Sequence, residues 1–497
     1  MKMTSPKTLV VIIAIIVAFY SFAPTIVKAE SDEKIKKIES FIEEQRAISK
    51  IPGLSLVIVE KGKTVYQRGF GYADVISKTP VTSNTLFELG STSKAFTGLA
   101  ILQLEKEGLL KRSDDVRKYI PWLKLKYNEE PQSITINQLL YHTSGISTYT
   151  IADIPESNES NALELTVKKL LEKPLNRIPG SSYEYATLNY DVLGLVIEKV
   201  SKQPFEKFIK QHILEPTDMK DTFVGLHQVK SADMASGYKL GLMREQRYTP
   251  PIYRGNVPAG YVISNTNDIA KWLNLQLGSN QIDSIDKKII QESHITDQSV
   301  EPFDTDTYYA SGWGVMEKDR NQYIFHAGEN PTFTSYFIMQ PNEQLGVAVL
   351  ANMNTTYTTA IGQGVMDLWE GKNANNIQSG GLGKMDKIVT FLCVTVIGFG
   401  IFFSILLLKT LRKIVRKQSI KASLNIKRIL LFFIHSLIVA TILTLTNMFP
   451  KFLGYNWTFM KVWGPTSITV LFYSVIVTSV IYYLLGLLHI LTKKTHT

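Results

Sequence analysis

Apolar and polar residues alternate through "LSLVIVEKGKTVYQRGFGYAD", residues 54 to 74, around a Lys-Gly-Lys turn. That period of two, rich in β-branched residues, predicts a β-hairpin. The period lengthens in "KAFTGLAILQLEKEG", where Phe96, Leu99 and Ala100 share a face and Gly108 ends the run, so a helix is expected there. A turn at "PGSS" leads into a further helix through "YEYATLNYDVLG", and "GVAVLANMN" returns to a strand pattern. Strands early, helices between and strands late predict an α+β fold whose sheet is closed by both ends of the domain.

The text changes after residue 370. "GKNANNIQSGGLGK" is rich in Gly, Asn and Ser and reads as a linker, placed at 371–386. "IVTFLCVTVIGFGIFFSILLL" (388–408) is long enough to cross a hydrocarbon core, and two more spans are expected near 429–449 and 467–492. Residues 387–497 are therefore read as a three-helix transmembrane domain. At the other end, Lys2 and Lys7 precede an apolar run and a Val-x-Ala ending at Ala29, the pattern of a cleaved signal peptide over 1–29. The chain between, 30–370, reads as one exported domain. The sole cysteine, Cys393, excludes an intrachain disulfide, so that domain must stand on its own core.

Charge supports this order. The formal net charge is +10, but from Lys384 onward there are 14 Lys and Arg against one acid, so the rest is mildly acidic. A basic excess confined to one end leaves nucleic-acid binding without support. The loop after the first span, "KTLRKIVRKQSIKASLNIKR", holds eight Lys and Arg and no acid. It is expected to face the cytoplasm, which puts the 30–370 domain outside the membrane. Trp457 and Trp463 fall where interfacial aromatics are expected. Three spans exceed what a tether needs; gathering an acylated substrate from the bilayer and pairing two copies are both uses for them.

Candidate chemistry begins with "FELGSTSKAF". An S-x-x-K motif alone decides nothing, since it occurs at Ser31, Ser91, Ser236 and Ser284. At Ser91 it precedes a helix, which puts Lys94 about one turn away on the same face. A desolvated lysine can take a proton from a serine hydroxyl, and N–H groups at a helix start can hold an oxyanion. The same residues also fit a helix cap and a solvated lysine. Tyr185 could shuttle a proton beside a lysine or simply be a core tyrosine. His326-Ala327-Gly328 sits at a strand edge, where Gly328 would let a substrate backbone approach. Cysteine and histidine spacings form no metal-ligand set, and no cofactor is implied.

The order S-x-x-K, then Y-x-[N/S/T], then [K/H]-x-G resembles the serine β-lactamase and penicillin-binding-protein superfamily, on its class C and esterase-like side. "ITINQLLYHTSGIS", "PAGYVISNTNDIAKWL" and "ASGWGV" support the resemblance, which covers residues 35 to 370. With a signal peptide and three C-terminal spans, the chain further resembles the membrane-bound prodrug-activating peptidases of nonribosomal peptide–polyketide pathways, of the colibactin and zwittermicin maturation type. "YDVLGLVIEKV", "ASGYKLG", "NPTFTS", "ANMN" and "VWGPTS" carry that likeness. Those enzymes remove an N-acyl-D-asparagine cap from an exported precursor.

The resemblance implies that Ser91 is acylated, Lys94 is its base and Tyr185 protonates the leaving amine. The N–H groups of Ser91 and Glu329 would form the oxyanion hole. Glu88, Thr187 and Asn330 match positions that recognise a small polar D-amino acid, and His326 and Gly328 complete the substrate-binding set. Asn256 stands where a relative has histidine. His326 replaces the lysine of K-T-G motifs, which disfavours a dedicated β-lactamase. A cell-wall D,D-peptidase or D-alanyl esterase uses the same chemistry with another pocket. A ligand sensor that is acylated without turnover is a third reading.

Overall fold

The computed structural model describes residues 32–230, 232–280, 282–318, 320–374, 380–423 and 425–494; the signal peptide expected at 1–29 lies outside them. An eight-stranded sheet organises the larger part. In chain order its strands are β1 (Gly53–Glu60), β2 (Lys63–Asp74), β3 (Thr79–Pro80), β4 (Thr307–Tyr309), β5 (Gly314–Lys318), β6 (Asn321–Glu329), β7 (Thr334–Gln340) and β8 (Leu345–Ala351). Their spatial order is β4-β5-β6-β7-β8-β1-β2-β3. The late chain meets the early chain at β8 and β1, antiparallel, with Val349 opposite Leu56. Both ends of the domain therefore close one sheet, as expected.

β1 and β8 are apolar almost throughout because both faces of the sheet are covered. The pleat sends Leu54, Leu56 and Ile58 to one face, against Ile38 and Ile42 of α1 (residues 32–49) and Ile361 and Val365 of α5 (Tyr357–Trp369). Val57 and Val59 point the other way, into a larger core shared with α2 (Lys94–Lys106), α3 (Leu188–Ser201) and α4 (Thr266–Gln276). A slip of one residue would exchange these two sets, so burial fixes the register. Phe96 of α2 stacks on Trp272 of α4 at 3.9 Å. Each such buried ring contributes about 1.5–3 kcal/mol. From Lys94 to Leu104 every residue of α2 is buried, so its start, which carries the S-x-x-K motif, is held by packing on all sides.

Three helices, α6 (Gly381–Val415), α7 (Ile426–Phe452) and α9 (Thr466–Leu491), are long and apolar enough to cross a membrane. Helix α6 starts inside the stretch read as a linker. A short helix α8 (Trp457–Trp463) joins α7 to α9. The two parts are bonded together. Buried Asp386 of α6 accepts from the backbone N–H groups of Leu242 (3.2 Å) and Met243 (2.7 Å) at a hairpin tip, and from Ser467 Oγ of α9 (2.6 Å). Lys239 Nζ donates to Lys461 O at 2.7 Å, and Asn456 Nδ2 to Ala152 O at 3.0 Å.

Candidate active site

Ser91 lies in a 3-10 turn, Gly90–Ser93, that runs directly into α2. Helix α2 takes Ser93 as its first flanking residue, and no side chain caps it, so Ser91 is not spent on the helix end. Gly90 adopts φ +57°, and a Cβ there would come 2.5 Å from Glu329 N. Only glycine allows the turn and the end of β6 to meet this closely. Gly328 has a related role and corrects the sequence reading: its missing Cβ leaves room for Leu89 O and Ser335 Oγ rather than for a substrate. Leu89 O accepts from Ser335 Oγ at 2.5 Å, which fastens the turn to β7.

Lys94 is fully buried, with Nζ 3.0 Å from Ser91 Oγ, 3.2 Å from Thr187 Oγ1 and 2.8 Å from Ala259 O. Burial depresses the basicity of its amine, and the Asp191 carboxylate partly restores it. Asp191, inside α3, is equally buried, and burial raises it; it accepts from Asn256 Nδ2 at 2.7 Å. Lys94 Nζ also faces the ring of Tyr185, 5.1 Å from its centre. Burial raises the Tyr185 phenol above its ordinary range while the Ser91 hydroxyl pulls it down, so at neutral pH it keeps its proton. One hydroxyl, one weakened amine and one protonated phenol thus converge.

His326 Nε2 lies 2.9 Å from Tyr309 OH and its Nδ1 2.6 Å from Ala327 O. Burial, with Lys94 nearby, lowers it to about 3, so this imidazole is neutral. Asn330 Nδ2 donates to Glu88 Oε2 (2.7 Å) and to Gly260 O (2.9 Å). Glu88 is raised to about 7 by burial, against the pull of the Asn330 donor.

These groups surround a cleft of about 360 Å³. It is lined by Ser91, Tyr185, Thr187, Asn256, His326, Glu329 and Asn330, seven of the residues expected from the sequence. Lys94 sits behind them. Glu88 does not reach the cleft but supports Asn330 from the far side, so any part it has in recognition passes through that amide. Sequence reasoning missed Asp191, Tyr309 and Trp463. A signal existed for Asp191, an acid inside the apolar stretch "LNYDVLGLV". For Trp463, which comes from α8, the sequence signals an interfacial aromatic but not a place in the cleft.

With this geometry in place, comparisons locate the chain among known proteins. The family described as Beta-lactamase matches residues 38–363. Protein flp of Staphylococcus aureus (strain MRSA252) is 32% identical over 444 residues, 88% of this chain and 87% of that protein. That alignment is longer than the family match, so it includes residues outside it. Among solved structures, the octameric penicillin-binding protein homologue from Pyrococcus abyssi is 30% identical with a TM-score of 0.61, covering 71% of this chain and 81% of its own. EstCE1, a hydrolase with promiscuous acyltransferase activity, shares the fold at 18% identity and a TM-score of 0.60, over 68% and 98% of the two chains. This chain belongs to the beta-lactamase family of serine hydrolases.

Proposed function

We propose that this protein is a membrane-tethered serine peptidase that removes an N-acyl-D-asparagine cap from an exported prodrug. The observation that carries the acyl-transfer part is Lys94 Nζ, buried and weakened as a base, 3.0 Å from Ser91 Oγ. With its proton off, Lys94 takes the Ser91 proton as Oγ bonds to the amide carbonyl carbon. The backbone N–H groups of Ser91 and Glu329 hold the oxyanion. Tyr185 gives its proton to the departing nitrogen as the C–N bond breaks, and recovers one from Lys94. Water then attacks the Ser91 ester by the reverse relay.

The choice of substrate rests on the polarity of the cleft. Among the described residues, none that lines it is Lys or Arg, and His326 is neutral. This favours a neutral carboxamide over a terminal carboxylate, which a penicillin-type lysine would hold. Asn256, Asn330 and Thr187 supply both donors and acceptors for such a group. The same feature weighs against a D,D-carboxypeptidase and leaves D-alanyl ester hydrolysis as the runner-up. A sensor acylated without turnover is disfavoured by the complete Ser-Lys-Tyr set. The active site is assigned to the outer side of the cytoplasmic membrane, with the basic 409–428 loop inside.

The test is mass-spectrometric turnover of N-myristoyl-D-Asn and N-myristoyl-L-Asn amides, with D-Ala amides and esters alongside and Ser91→Ala as control. Ser91-dependent cleavage of the D-Asn amide alone is expected. Turnover of D-alanyl compounds without it would replace this reading by the cell-wall one.

A further inference from the structure

We infer that His142 is a positioning residue for the proton donor: its backbone carbonyl and its imidazole together clamp the segment that carries Tyr185. This rests on the Ser91 acyl-enzyme reading with Tyr185 as the acid, and not on the D-asparagine assignment. His142 lies in "YHTSG", the turn that follows a short helix, Ile136–Leu140, and it does not line the Ser91 cleft. His142 O accepts from Glu184 N–H at 2.9 Å, and His142 Nδ1 accepts from Ala186 N–H at 3.3 Å. Tyr185 is the residue between them. The imidazole also packs on the Tyr185 ring, 4.4 Å between centres and 34° from parallel. One residue therefore sets the backbone on both sides of the phenol and the seat of the ring itself.

The imidazole is steered in turn. Asn189 Nδ2 donates to Nδ1 at 2.9 Å, while Asn189 Oδ1 accepts from Ser144 Oγ at 2.7 Å. Two donors meet Nδ1, so the ring proton belongs on Nε2. Burial, with Lys94 and His326 nearby, holds the ring neutral, as an accepting Nδ1 requires.

His142 is kept at this place against two local penalties. Its φ of +57° is left-handed, which is uncommon outside glycine. Its Nε2–H is buried and has no hydrogen-bond partner among the described residues. An apolar side chain would fill the same space without that orphaned donor, but it would offer Ala186 N–H no acceptor. Strain and unpaired donors persist where the surroundings need a fixed geometry. The need here is Tyr185, whose ring lies 5.1 Å from Lys94 Nζ and whose hydroxyl must serve both Ser91 and the leaving atom. A misplacement of about 1 Å at such a group lowers the rate by up to about 100-fold.

The experiment measures kcat/KM on p-nitrophenyl acetate and benzyl acetate with the full-length protein in one detergent. p-Nitrophenolate departs without a proton, whereas benzyl alkoxide must be protonated as it leaves, so the benzyl-to-nitrophenyl ratio reads the acid. Tyr185→Phe should lower that ratio about 100-fold. His142→Gly keeps the left-handed backbone and the carbonyl and deletes only the imidazole. It should lower the ratio about tenfold, with p-nitrophenyl acetate itself changed less than about threefold. His142→Asn also accepts that backbone and offers Oδ1 in the place of Nδ1, and should recover most of the ratio. The double variant His142→Gly/Tyr185→Phe should lose no more of the ratio than Tyr185→Phe alone, because both act through one group. Asn189→Ala, which frees the imidazole, should shift the ratio in the same sense and decides the matter if His142→Gly does not fold. Equal losses on both esters, leaving the ratio unchanged in a folded variant, would make His142 merely structural and overturn the inference. An unchanged ratio in Tyr185→Phe overturns the acid role of Tyr185, and absence of Ser91-dependent turnover overturns the acyl-enzyme; the His142 inference falls with either. Loss of D-Asn selectivity with these ratios intact removes only the head-group assignment.

Discussion

Two cavities lie on either side of the Glu88–Asn330 hydrogen bond, and they are similar in size but not in chemistry. The Ser91 cleft measures about 360 Å³; the other, about 290 Å³, is lined by Arg247, Tyr248, Tyr253, Arg254, Tyr261 and Thr332, among others. The second contains more formal charge, yet each arginine is already answered. Arg247 pairs with Asp74 at 3.1 Å and Arg254 with Glu206 at 3.1 Å. Burial shifts groups in both: it raises Glu88 and Tyr261 beside the second cavity, and at the first cleft it weakens the Lys94 amine and keeps the Tyr185 phenol protonated. What marks the first as reactive is that its shifted groups flank a serine hydroxyl, with Lys94 Nζ 3.0 Å from Ser91 Oγ.

This contrast can be broken experimentally. The largest effect is expected from Ser91→Ala, which should lower ester and amide hydrolysis by roughly 10⁴-fold or more and abolish the acyl adduct seen by intact-mass spectrometry. Lys94→Met should cost about 10²–10⁴-fold. In the wild type Lys94 must lose its proton to act. Because burial lowers its pKa, kcat/KM should rise with pH and level off well below pH 10, where an exposed lysine titrates. Asp191→Asn removes the carboxylate that props up Lys94, and should move that rise to lower pH. A rise that stays in the ordinary lysine range would mean that Lys94 is not the base.

Glu88 gives an intermediate effect of another kind. Its folded pKa, about 7, lies above the usual carboxyl value of 4.5. Its contribution to stability is therefore complete below about pH 4.5 and is lost as pH rises through 7. Glu88→Gln keeps an acceptor for Asn330 and should flatten that loss, raising stability at pH 8 by up to about 3 kcal/mol; thermal unfolding across pH measures it. The smallest effect is expected from Arg247→Ala in the second cavity. Its half-exposed pair with Asp74 is worth under about 1 kcal/mol, and kcat/KM should change less than twofold. A tenfold loss would make the two cavities one functional site.

The parts of this molecule legible in the sequence are those set by local periodicity. The hairpin of β1 and β2 follows from alternation, α2 from its helical spacing, and the spans from length and apolarity. Ser91, Lys94 and Tyr185 could be found because the family order of motifs is linear in the chain. The illegible parts are made by contacts across long separations. Asp191 meets Asn256 across 65 positions, and Glu88 meets Asn330 across 242. No window of sequence shows that Glu88 stands behind the amide and not in the cleft. The sequence presents Gly328 as an opening for substrate, because its real neighbour, Leu89 O, is brought there only by folding. Trp463 was legible as an interfacial aromatic but not as a wall of the catalytic cleft.

The buried carboxylate of Asp386 has a mechanical consequence. A domain on a flexible leash sweeps a hemisphere, and its reach is set by the leash. Here two backbone N–H groups from the hairpin and one hydroxyl from α9 meet at a single side chain, so the catalytic domain is seated in a socket. A seated domain keeps one orientation toward the three apolar helices. On the membrane-tethered reading proposed above, that seating would hold the mouth of the cleft at one height and one tilt above the lipid surface.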